Sequence, residues 1–167
     1  MIGADNNGPF SVRTIDSINI FSREPSAEVR DTVVIWQELA KAIRVTLPKH
    51  ESFTSDEDVT RAFSRWIDDN KHALAAIKQI VIEHKDLTHV PVALCRLTGL
   101  KDLFLRHNKL NLSPLPEAIS SLTALQRLFI SDNQLDRLPE AIGRLTALKV
   151  LDLGTIDSHK YQVKLAH

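Results

Sequence analysis

His84 and His107 stand 23 residues apart, and Asp132 follows 25 residues after His107. If the chain repeats with that period, the three form one column on adjacent strands. Two imidazoles and a carboxylate can hold a zinc ion with a fourth position open. Nothing in the sequence supplies the partners that orient metal-bound imidazoles. The column is therefore read first as a polar, hydrated edge, with His84, His107 and Asp132 kept only as weak metal candidates, and no cofactor is expected. The one cysteine, Cys95 in "ALCRLTGL", is the other residue with reactive chemistry. Its neighbour Arg96 can lower a thiol pKa only modestly, so a structural thiol is expected.

The motifs of common enzymes do not occur: there is no G-x-x-x-x-G-K loop, no H-E-x-x-H and no C-x-x-C. The chain reads as a non-enzyme. Lys and Arg number 21 and Asp and Glu number 21, giving zero net charge. That balance removes the electrostatic footprint of a nucleic-acid binder, so no nucleic-acid partner is expected. A single cysteine cannot form an internal disulfide, which fits a reducing compartment. No apolar run reaches the ~20 residues of a membrane span. The first 21 residues lack the cationic start and apolar segment of a cleaved secretory signal.

Any site must be positioned by the feature that dominates the chain, an internal repeat. Leu125, Leu128, Ile130, Asn133, Leu135, Leu138, Pro139 and Ile142 set the template. Leu100, Leu103, Leu105 and Asn108 precede it, and Leu115, Pro116 and Ile119 rejoin its phase after a two-residue expansion. Ile77, Ile80, Ile82, Leu87, Val90, Pro91 and Leu94 form a weaker earlier copy, and Leu148, Leu151 and Leu153 begin a later one. The units are 74–96, 97–121, 122–144 and 145–153 onward. Alternation through Leu128, Phe129 and Ile130 predicts a short strand. Asn133 stands at its end, where a buried amide can satisfy backbone groups. Leu-Pro then stops the ladder, and "PEAIGRL" permits a helical turn. Lys85 and Ile156 replace the Asn in the outer copies, as terminal units tend to do.

The strings "LKDLFLRHNKL" and "LQRLFISDNQL" resemble the leucine-rich repeat family, whose pattern is L-x-x-L-x-L-x-x-N-x-L. "LPEAIGRLTAL" is similar to the bacterial and plant intracellular variants of about 23 residues. The resemblance covers residues 74–153. It implies an α+β solenoid of about four repeats, with a curved parallel sheet whose concave face binds proteins.

Upstream, Val29, Val33, Trp36, Leu39, Ala40 and Ile43 recur at helical spacing, with Ser26 as N-cap and Pro48 as the stop. Val59, Phe63, Trp66 and Ile67 follow a capping-box-like Ser55 and Asp58. Residues 26–73 are expected to form a helical N-terminal cap, its tryptophans packed together over the first repeat. That layout is similar to the caps of secreted bacterial effectors with leucine-rich repeats. The resemblance implies either a cytoplasmic protein or one secreted without a cleaved signal. Residues 1–25 are expected to include a flexible stretch. In the tail, 154–167, Tyr161, Val163 and Leu165 alternate and can form a capping strand.

The repeat phase places side chains in columns on the exposed sheet face, about 4.8 Å apart. The central column is Val81, Phe104, Phe129 and Asp152. Beside it stand Arg106, Arg127, His107 and Asp132. Phenylalanines flanked by arginines are the anchor chemistry of protein interfaces, so this face, centred on Phe104 and Phe129, is expected to bind a protein. Lys78, Lys101 and Lys149 read as a solvated rim. The alternative is a structural or self-assembling fragment that forms a homodimer through an incomplete C-terminal repeat.

Overall fold

A computed structural model describes residues 25–47, 55–110, 115–135 and 138–154 of the chain. Ile80, Leu103, Leu128 and Leu151 head four strands' worth of repeated sequence, and each lies at the centre of a three-residue strand. These are β1 (Gln79–Val81), β2 (Asp102–Phe104), β3 (Arg127–Phe129) and β4 (Val150–Asp152). They pair in parallel in the order β1-β2-β3-β4, with Ile80, Leu103, Leu128 and Leu151 in register. In β1, β2 and β3 the central residue is buried in the core and its two neighbours point out, as the strand period requires, while Leu151 of β4 is partly buried.

Parallel pairing needs a crossover between strands. Pro91, Pro116 and Pro139 each open one turn-and-a-half of 3-10 helix: Val92–Arg96, Glu117–Ser121 and Glu140–Arg144. Proline fixes φ near the value such a turn needs and has no N–H to leave stranded. The inner sides of these turns bury Leu94, Ile119 and Ile142 against the sheet residues. Leu100, Leu103, Leu105, Leu122, Leu125 and Leu128 are completely buried between the two layers. Leu110 and Leu115 are 0% and 3% exposed, whereas their counterparts Leu135 and Leu138 are only partly buried. The stretch of the fourth unit that would stand beside the latter pair lies outside the described residues.

Asn108 and Asn133 close β2 and β3. Asn108 Oδ1 accepts from Lys85 N (3.0 Å) and Leu87 N (3.2 Å), while Nδ2 donates to the carbonyls of Ile82, Leu105 and Arg106. Asn133 reaches back to Leu110 N in the same way, at 3.0 Å. Each amide thus satisfies backbone groups of its own unit and of the unit before it. This also explains why position 85 tolerates lysine. Its backbone is served by Asn108, and no unit of the repeat precedes it.

Helix α1 (Ala27–Ile43) starts at Ser26, whose hydroxyl accepts from Val29 N, and ends at Arg44 in the left-handed region (φ 57°). Arg44 closes the helix four residues before Pro48, which lies outside the described residues. Helix α2 (Asp56–Asp69) begins with the expected reciprocal cap: Ser55 Oγ accepts from Asp58 N and donates to Asp58 Oδ2. A single turn, α3 (Lys71–Leu74), leads into β1. Trp36 packs between Phe63 and Trp66, at centroid distances of 5.5 and 6.0 Å. This cluster is continuous with the core beneath the strands. The flexible stretch expected within 1–25 and the capping strand expected within 154–167 fall, apart from Pro25 and Gly154, outside the described residues.

Polar contacts fasten the helices to the first unit. Asp31 Oδ2 accepts from Thr88 N (2.8 Å), Thr88 Oγ1 (2.7 Å) and His89 N (2.8 Å). Lys85 Nζ lies 3.3 Å from Glu38 Oε1. Burial pushes the Glu38 carboxyl up, but hydrogen bonds from Lys41 and Lys85 outweigh it and hold it below its ordinary value. Arg96 bonds the Ser64 carbonyl and pairs with Asp68.

Candidate functional site

Registered pairing makes the outward residues of neighbouring strands contiguous. Val81, Phe104, Phe129 and Asp152 form one row across the sheet, and Gln79, Asp102, Arg127 and Val150 form the next. Phe104 and Phe129 are half-buried and stack face to face, with centroids 4.6 Å apart and planes within 6°. That distance matches the ~4.8 Å spacing of neighbouring strands, which in-register pairing imposes on residues directly opposite each other. Val81, next in the row, is 49% exposed.

The expected arginines are present, but both are already engaged within the face. Arg127 makes a two-pronged contact to Asp102, Nε to Oδ1 at 2.5 Å and Nη2 to Oδ2 at 2.8 Å. Arg106 lies over Phe129, its guanidinium carbon 4.3 Å from the ring centroid, and pairs with Asp152. Ser131, beside Arg106, is small enough to let the guanidinium pass. These bonds hold the carboxyls of Asp102 and Asp152 below the usual carboxylate range. A carboxyl with a lowered folded-state pKa stabilises above its unfolded value and loses that contribution as pH falls through its folded one. Both pairs therefore hold at neutral pH and weaken only in acid below the ordinary carboxylate range.

The weak metal candidates His84, His107 and Asp132 stand in one line outside the strands. These residues lie in the turns beyond the strands, each with left-handed φ (54°, 53° and 56°). Histidine and aspartate tolerate that conformation better than most residues, so their recurrence has a backbone cause: the turn swings the chain and points Asn108 or Asn133 inward. The imidazoles of His84 and His107 stack at 4.4 Å with planes 11° apart, and His107 Nδ1 is 3.6 Å from Asp132 Oδ2. Lone pairs of parallel rings run side by side and do not meet at one ion. Among the described residues no group of three His, Cys, Asp or Glu side chains is placed to hold a metal.

Cys95 faces the core at 1% exposure, and burial pushes its thiol up to about 12. Arg96 turns away toward Asp68. At neutral pH the thiolate fraction is on the order of 10⁻⁴ or below. Native protein is expected to remain unmodified by a disulfide reagent such as DTNB, releasing one equivalent of thiolate dye only when unfolded. Rapid reaction of the folded protein would show that the site opens.

Asp31 was not legible as a tethering residue. Its only signal is an aspartate within the apolar stripe of the first helix, between Val29 and Val33. Among the described residues no helix is long and apolar enough to cross a membrane.

Residues 124–145 match the family model described as Leucine Rich Repeat. No curated protein matches the chain. The third unit is thus a leucine-rich repeat, the kind of element that in general serves as a non-catalytic scaffold for protein interaction.

Proposed function

We propose that the protein is a non-catalytic recognition scaffold that binds another protein through the exposed sheet face. The observation that carries this reading is the Phe104–Phe129 stack. Two large apolar rings stay half-exposed at the centre of the sheet, whereas among the described residues Trp36, Phe63 and Trp66 are buried in the helical block. Folding alone gains little from them there, whereas a partner that buries them gains their full apolar area. Val81, Arg106, His107, Arg127, Asp132 and Asp152 frame the pair. In this reading residues 26–73 cap the first unit of a short solenoid. The setting that the layout suggests is target recognition in a bacterial effector-like protein, held in the cytoplasm or exported without a cleaved signal.

The test is capture from a host-like lysate with wild type and with Phe104→Ser plus Phe129→Ser, after matched circular dichroism. Captured partners should fall by tenfold or more, the scale of a lost hot spot. An unchanged set would remove this face from consideration. The second reading, pairing of two copies, is favoured by the end of the sheet: Leu148, Leu151 and Leu153 are only partly buried, and Val150 is 40% exposed. Its result in the same assay is capture of a tagged second copy in both proteins.

A further inference from the structure

Among the described residues the aromatic stack is covered at one end and open at the other. Rings 4.6 Å apart admit nothing between them, so Arg106 must cover the face of Phe129 that looks away from Phe104. The order is therefore Phe104, Phe129, guanidinium, with Asp152 neutralising the last. On the β1 side the residue in register with Phe104 is Val81, too short to cover a phenyl ring. Two residues beyond Val81 stands Glu83, half-buried, and among the described residues no hydrogen bond or ion pair takes up its carboxylate. The two arginines of the face, Arg127 and Arg106, are held by Asp102 and Asp152. The open end thus offers an aromatic face, an apolar floor and an unneutralised carboxylate. An aromatic face and a carboxylate are also what hold Arg106 at the closed end.

We propose that this open end binds an arginine side chain of a partner protein. The guanidinium lies flat on Phe104 above Val81 and donates to the Glu83 carboxylate. A planar, weakly hydrated cation satisfies both surfaces at once, which a compact ammonium does less well. This assignment rests on the sheet face being the recognition surface, and it specifies which chemistry that surface selects.

The probe is N-acetyl-argininamide, titrated into protein labelled at valine methyls and phenylalanine rings and followed by NMR. Its neutral isostere, N-acetyl-citrullinamide, is run in parallel. Saturable shifts at Val81 and Phe104 are expected with the arginine compound in the millimolar range, as suits one exposed cation–π contact. Glu83→Gln, which breaks no contact of the described fold, should weaken the response about fivefold. Val81→Phe should weaken it more than tenfold by extending the stack into the slot. Equal shifts with the citrulline compound, or an undiminished response in Glu83→Gln, would overturn the proposal. So would the absence of any shift at these residues. None of these results touches the broader recognition reading, which the double phenylalanine variant decides separately.

Discussion

Asn108→Ala is expected to lower the free energy of unfolding by about 3–5 kcal/mol, among the largest effects of any single polar substitution in this chain. The side chain is 7% exposed. Its removal strands the N–H groups of Lys85 and Leu87 and takes a donor from three carbonyls in two successive units. Each buried donor left without a partner costs roughly 1–3 kcal/mol, and the cavity is too small for water to replace every bond. Asn133→Ala is the internal control. Its amide serves one backbone N–H of the preceding unit instead of two and is only half-buried, so about 1–3 kcal/mol is expected. Urea midpoints at unchanged slope measure both. Equal midpoints would mean that the ladder amides are relieved by solvent in both units.

The second large effect is expected at Asp31. Alanine there leaves Thr88 N, His89 N and the Thr88 hydroxyl without their common acceptor, at a loss of about 3–4 kcal/mol. Asparagine keeps one carbonyl oxygen and should lose about half as much. The location gives a sharper readout than the magnitude. Trp36 and Trp66, the two tryptophans of the chain, both sit in the helical block, whereas the sheet carries the Asn ladder. In Asp31→Ala the tryptophan fluorescence transition should move to lower urea than the far-ultraviolet transition of the whole chain. Coincident transitions in that variant would show that the apolar contacts alone couple helices to sheet.

These two residues also divide what could be read early from what could not. Asn108 was legible because it recurs. An asparagine three residues past each inward Leu105 or Ile130 has one economical explanation, a strand end whose backbone needs a partner. The hydrogen bonds found are of that kind. Asp31 does not recur, and a carboxylate in an apolar stripe reads equally as an interruption. Its partners are 57 and 58 residues away, and no local pattern encodes a contact of that separation. The histidine column shows a different limit. It recurs, but periodicity cannot tell a side chain selected for its chemistry from one selected for its backbone, and the left-handed φ at His84, His107 and Asp132 identifies the second cause.

The sequence by itself determined the unit: the inward leucines, the amide that closes each strand, the proline that starts each outer turn, and hence the parallel register that aligns Val81, Phe104, Phe129 and Asp152. Those features follow from backbone hydrogen bonding and a period-two strand, which act within one unit and its neighbour. Only the tertiary structure decided which side chains of the face are available. Arg106 reaches past a small serine to Asp152, Arg127 folds back on Asp102, and among the described residues Glu83 is left without a partner. Long side chains choose among several oppositely charged groups at similar range, and that choice depends on ångström-scale geometry across strands that residue order does not carry.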